Sequence, residues 1–129
     1  MKRTTDCTPA ITAGRLAKAR QFTEAADLLE LLADDATDIA DAYVTMCIHA
    51  GIAAADVICC KRLGEHSRGE DHVAAVGLLR SADADSAKQL SALLAMKTKA
   101  GYSALPVTTN DHKRAGRAAH ALLDAAARI

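Results

Sequence analysis

The stretch DIADAYVTMCIHAGIAAADVICCKRLG, residues 38–64, decides the fold. Between Ala42 and Ala55 it holds no Asp, Glu, Lys or Arg. Ile39, Tyr43, Met46, Ala50, Ala53 and Val57 recur at helical spacing on one side, and Val44, Ile48, Ala55 and Ile58 on another. A helix that is apolar on several sides belongs at the centre of a bundle or against a second subunit. The uncharged run is too short to span a bilayer, and its composition suits a buried helix. Thr37 or Asp38 is placed to cap its start. Gly64 is placed to end it, as a residue free to take positive φ.

Outward from this segment the chain reads as further helices. Thr8 and Pro9 make a helix start, and Leu16, Ala19, Phe22, Ala26, Leu29 and Ala33 continue it at helical spacing over residues 9–33. DDATD, residues 34–38, is a turn. EHSRG, residues 65–69, reads as a loop before a third helix, EDHVAAVGLLRSA, with two acids in its first turn. Asp83 or Asp85 caps a fourth, SAKQLSALLAMKTKA. GYSALPVTTN is a loop in which Pro106 bars continuation, and Tyr102 is expected to lock that loop onto the bundle. Thr108, Thr109 or Asn110 caps the last helix. The expectation is an all-α, five-helix up-and-down bundle. Residues 1–8 form a flexible N-terminus, and residues 9–129 form a single domain.

Composition agrees. Thirty Ala and 14 Leu, with one Phe, two Tyr and no Trp, predict a core of small side chains and closely packed helices. None of Cys7, Cys47, Cys59 and Cys60 has the spacing of a zinc knuckle or redox pair, so no metal and no cofactor is expected. They read as small buried hydrophobes in a reducing cytosol. The N-terminal MKRTTDCTPA lacks the apolar core of a signal peptide, which again indicates a cytoplasmic location. Net charge is zero, but residues 21–60 carry eight acids and no Lys or Arg, whereas residues 88–129 carry seven bases against two acids. That segregation suits acidic and basic helices packed side by side.

The sharpest chemical candidate is the polar segment KRLGEHSRGEDH, residues 61–72. Arg62, His66, Arg68 and His72 combine phosphate-holding and proton-moving side chains, as metal-independent RNA cleavage would require. The same composition is what solvent selects in a turn between helices. His49, alone in the apolar helix, reads as a satisfied core or interface residue. Arg114 and His120 lie about 120° apart on one helix. Lys113, Arg114 and Arg117 make a basic strip without the aromatic side chains that stack on single strands.

Three segments resemble the HEPN domain family of small helical bundles: AKARQFTEAADLLELL (residues 17–32), the span from Asp41 to Leu79, and KTKAGYSALPVTTNDHKRAGRAAHALLDAA (residues 97–126). The resemblance implies a four- or five-helix bundle that usually dimerises. Many members are ribonucleases of toxin–antitoxin or defence systems that use an Arg and a following His. Here the equivalent segment reads MKTKAGY, and Lys97, Ala100 and Tyr102 match the non-nuclease variant. Arg62–His66 and Arg68–His72 are spaced too closely for the nuclease motif. Arg114–His120 has the separation, but Ala115 follows the arginine. The function implied is a non-catalytic, cytosolic module that dimerises and serves as a partner, for instance of a nucleotidyltransferase, or binds nucleotide or RNA. Arg62, His66, Arg68, His72, Lys97 and Tyr102 would hold that ligand. The second helix would dimerise through Tyr43, Met46, Ala50, Ala53 and Ala54. The alternatives are a ribonuclease using one of the Arg–His pairs, and a structural domain that binds a basic protein through the acidic face from Glu24 to Asp41.

Overall fold

The computed structural model describes residues 3–69 and 71–129. The order is β1 (Thr4–Asp6), α1 (Pro9–Leu32), a 3-10 turn (Ala36–Asp38), α2 (Ala40–Leu63), β2 (Glu65–Ser67), α3 (His72–Ala82), α4 (Ala84–Ala95), α5 (Lys97–Gly101) and α6 (Thr109–Arg128). The architecture is an all-α helical bundle with one short antiparallel ribbon attached. Residues 1–2 of the expected flexible N-terminus, and Glu70 of the expected third-helix start, lie outside the described residues.

α2 is the axis of the bundle. Val44, Ala53, Ala54, Val57 and Ile58 have no more than traces of exposed surface. α1, α4 and α6 pack around it and supply Ala26, Leu90, Leu93 and Leu122 to the same core. Small residues set the spacing: a Cβ on Gly51 would lie 2.3 Å from Leu93 Cδ1 and 3.2 Å from Leu122 Cδ1. Only the absence of that atom lets α2 approach α4 and α6 so closely. By length and composition α2 would qualify to cross a membrane, against the expectation from its uncharged run alone. Most of its surface is covered by the rest of the chain.

The same burial removes the expected dimer surface. Tyr43, Ala50, Ala53 and Ala54 are 4%, 1%, 0% and 0% exposed inside one chain, so they have no face left for a second copy. Met46 alone among the five is half-buried. The all-round apolar pattern of α2 is used up by its own chain.

Helix ends follow local chemistry. Thr8 Oγ1 accepts from Ile11 N at 3.1 Å, with Pro9 at the first helical position. At α6, Thr108 Oγ1 accepts from Asp111 N and Asp111 accepts from Thr108 N, both at 3.0 Å, a capping box. At its other end, Lys61 Nζ donates to the carbonyls of Ala126 and Ile129, at 3.0 and 2.8 Å. Gly64 takes φ 75° and stops α2 as expected. Three expectations change. Neither Thr37 nor Asp38 caps α2. Ile39 precedes it with no side-chain cap, while Asp35 caps the 3-10 turn through Thr37 N. Asp71 is the N-cap of α3 and not part of its first turn, since it accepts from Ala74 N. The expected fourth helix is broken at Met96 into α4 and α5.

The ends of EHSRG and of the N-terminal segment meet. Glu65–Ser67, read as loop, forms β2 and pairs with Thr4–Asp6 in the register Thr4↔Ser67, Thr5↔His66, Asp6↔Glu65. Cys7 N donates to Gly64 O and Arg68 N to Arg3 O, at 2.9 and 2.8 Å. Arg3 also pairs with Asp71 at 2.6 Å. Cys7 and Cys60 are joined by a disulfide, with Cα atoms 5.5 Å apart. Residues 4–8 are therefore anchored instead of flexible. Two of the four cysteines are not the reduced core thiols that the sequence suggested. Cys47 and Cys59 are free and buried.

Candidate functional site

A pocket of about 260 Å³ opens between α1, α2, the β2–α3 segment and the α4–α5 junction. Its apolar wall includes Ile52, Leu90 and Leu94. Its polar groups are Arg15, His49, Asp56, His72 and Lys97, with Ser67 at the rim. Each arrives from a different part of the chain. Arg15 projects from α1. His49 and Asp56 are seven residues apart on α2, two turns along one face. His72 is the first residue of α3, and Lys97 is the first of α5.

Asp56 is the anchor. Its side chain is 15% exposed, and it receives the Arg15 Nε–H at 2.8 Å. His66 Nδ1 stands 3.9 Å from its other oxygen and 2.9 Å from Ser67 O. Burial drives the Asp56 carboxyl above the usual carboxylate range, and the nearby Arg15 and His66 pull against that rise. Across the pocket, Lys97 Nζ is 3.4 Å from His72 Nε2. A charged ammonium there donates, so the imidazole nitrogen facing it accepts. Lys97 is half-buried and, among the described residues, has no carboxylate partner. Cys59 also reaches the pocket, but burial pushes its thiol up to about 12. It is protonated at neutral pH and is no nucleophile.

The structure brings together some of the residues singled out from the sequence and separates others. His72 and Lys97 share the pocket, and His66 touches it through Asp56. Arg62 and Arg68 are exposed and do not line it, so neither Arg–His pair converges there. Tyr102 is 78% exposed and locks nothing. The 102–108 loop is held instead by Asp41, which accepts from Val107 N at 2.9 Å. His49 is exposed and stacks on Phe22 with ring centroids 5.3 Å apart.

His112 stacks on Tyr43 at 4.1 Å and contacts Glu30 at 3.1 Å, while His120 contacts Asp27 at 3.1 Å. These two histidines tie the basic α6 to the acidic half of α1, as charge segregation suggested. His120 therefore faces Asp27 and not Arg114. Arg15 and Asp56 were missed. The available signal was Asp56 itself, a lone acid in an apolar helix, which demands a buried cation from elsewhere in the chain.

No family model matches the chain, and no curated protein or solved structure matches it.

Proposed function

We propose that the protein is a non-catalytic helical binding module whose pocket takes a phosphate-bearing small ligand of the nucleotide class. One observation carries this reading: Lys97, half-buried and without a bonded carboxylate among the described residues, faces a pocket that Arg15 and His72 also line. An ammonium bonded only to an imidazole among the described residues keeps donors for an anion, and the Asp56 carboxylate that also lines the pocket is engaged by Arg15. Arg15 keeps guanidinium donors beyond the one given to Asp56, and His72 adds a ring nitrogen. The apolar wall of Ile52, Leu90 and Leu94 suits the flat part of a base. The volume lies just under the range of about 300–1,000 Å³ typical of ligand pockets, which favours a mononucleotide over a longer strand. The likeness to non-nuclease HEPN proteins supports the same reading. It would make the chain a component of a toxin–antitoxin or defence system, with a nucleotidyltransferase as one candidate partner.

The test is titration of the isotope-labelled full chain with inorganic phosphate and with mononucleotides, followed by NMR. Saturable shifts at Arg15, His72 and Lys97 are expected. Lys97→Ala removes a charge-assisted hydrogen bond of about 1.5–3 kcal/mol, so affinity falls about 10- to 150-fold. Absence of saturable shifts, or an affinity unchanged by the substitution, would exclude the pocket as the binding site.

A further inference from the structure

Much of the outer face of α1 is left uncovered by the described residues. Leu28, Leu31 and Leu32 are 55%, 77% and 76% exposed. They share that face with Ala10, Gly14 and Ala17, all exposed and spaced three or four residues apart along the helix. A Cβ on Gly14 would meet nothing within 4 Å, so no neighbour inside the chain accounts for a helix-weakening residue there. The face changes character at Gln21, with small residues before it and leucines after it. The charges flanking it change at the same place: Lys18 and Arg20 precede Gln21 and Glu24 follows it, whereas Arg15, Asp27 and Glu30 are engaged within the chain by Asp56, His120 and His112. Arg20 and Glu24 are exposed and enter no ion pair among the described residues.

We infer that this face is the contact surface of a homodimer in which α1 packs antiparallel against α1 of a second copy, about a two-fold axis through Gln21. Residues equidistant from Gln21 then face each other. Leu28 meets the partner's Gly14, and Leu32 meets the partner's Ala10. On one flank Glu24 comes beside the partner's Arg20. A parallel pair would set leucine on leucine at one end, leave a gap between small residues at the other, and put like charges level. The antiparallel arrangement removes all three conflicts, and because the face is complementary to itself the pairing closes as a dimer. The strip from Ala10 to Leu32 is about 33 Å long. One helix pair of that length falls at the lower edge of the roughly 800 Å² per partner of a standard interface, so a reversible dimer with a dissociation constant on the order of micromolar is expected. This surface is separate from the pocket, and the inference stands whether or not the pocket binds a nucleotide.

Sedimentation velocity of the full chain over about 1–200 μM bracket that constant. A concentration-dependent monomer–dimer equilibrium is expected. Arg20→Glu and Glu24→Arg should each weaken it about tenfold, and the double exchange should restore it, because only the paired swap returns opposite charges to the flank. Leu28→Asp should abolish it. Gln21→Cys, on the axis, should give a covalent dimer on oxidation, whereas Val73→Cys, 85% exposed on α3, should not. All five positions are exposed, so circular dichroism of each variant should match the parent. A monomer at every concentration would overturn the inference. So would a dimer that ignores Leu28→Asp and does not cross-link through Gln21→Cys.

Discussion

Cutting the Cys7–Cys60 bridge should destabilise the protein in two distinguishable ways. The bridge closes a loop between residues 53 positions apart. For a loop of that length the chain-entropy relation gives about 14 cal/mol/K, or about 4 kcal/mol at 25 °C, as the stabilisation from restricting the unfolded chain. The N-terminal arm has little else to hold it. β1 is three residues long, and the Arg3–Asp71 pair is 75% and 45% exposed, so that pair contributes well under about 1 kcal/mol. Without the bridge the arm should detach while the bundle stays folded. Urea unfolding of Cys7→Ser and of the parent, followed by circular dichroism since there is no Trp, should then show a loss of at most about 4 kcal/mol. Hydrogen exchange should show the local step directly. The amides of Cys7 and Arg68, bonded to Gly64 O and Arg3 O, should lose protection before any amide of α2. Two results would refute this reasoning: four titratable thiols in the unreduced protein, or identical unfolding midpoints and identical exchange at Arg68 with and without the bridge.

Three further outcomes are expected. Gly51→Ala gains about 1 kcal/mol of helix propensity but drives a methyl into Leu93, which is itself fully buried. With overpacking of about 1–3 kcal/mol, the net loss should be up to about 2 kcal/mol by urea unfolding, and a stabilised variant would show that the α2–α4 contact is looser than described. The Asp111 carboxyl is held below its usual range first by the Thr108 backbone hydrogen bond, with further help from the Thr108 side chain and Lys99. A depressed carboxylate contributes stability that is fully present above its unfolded value near 3.8 and is lost as pH falls through the folded value. Unfolding measured between pH 6 and pH 2.5 should therefore show an acid-side decline that Asp111→Asn flattens, and an unchanged profile would count against the capping box. Lys61→Met should fray the last turn of α6 and lose about 1 kcal/mol, read as faster amide exchange after Leu122, because it removes the donor to the carbonyls of Ala126 and Ile129.

What the sequence made legible and what it hid divide along the range of the interactions. The span of α2, its stop at Gly64 and the Thr108 cap of α6 are set within a few residues, and the pattern around each position contains the answer. β2 is only three residues long, and its partner strand lies 61 positions earlier in the paired register, so no local alternation announces it. The disulfide depends on that pairing, because only the return of the arm brings Cys7 to Cys60. The candidate site divides in the same way. His72 stood out in a polar segment at the start of a helix and Lys97 in the segment that carries the family resemblance, whereas Arg15 enters the site through packing of α1 on α2. The error over the α2 surface came from a correct pattern with two readings. A helix apolar on all sides is covered by its own chain or by another, and the apolar faces of α1, α4 and α6 suffice to cover it.

The central position of α2 has a consequence for synthesis. α6, which covers one side of it, ends about 65 residues after α2 does. At about 5–20 residues per second, the growing chain holds an apolar helix without that cover for about 3–13 s. During this interval Val57 and Ile58 depend on α1 alone and then on α4 for shelter, so the nascent chain should be a client for hydrophobic-binding chaperones until α6 emerges. Chains stalled on ribosomes before Thr109 should capture such chaperones and be cut rapidly by protease, and chains stalled well beyond Arg128 should do neither. Equal protease resistance at both lengths would mean that α1 and α4 are shelter enough.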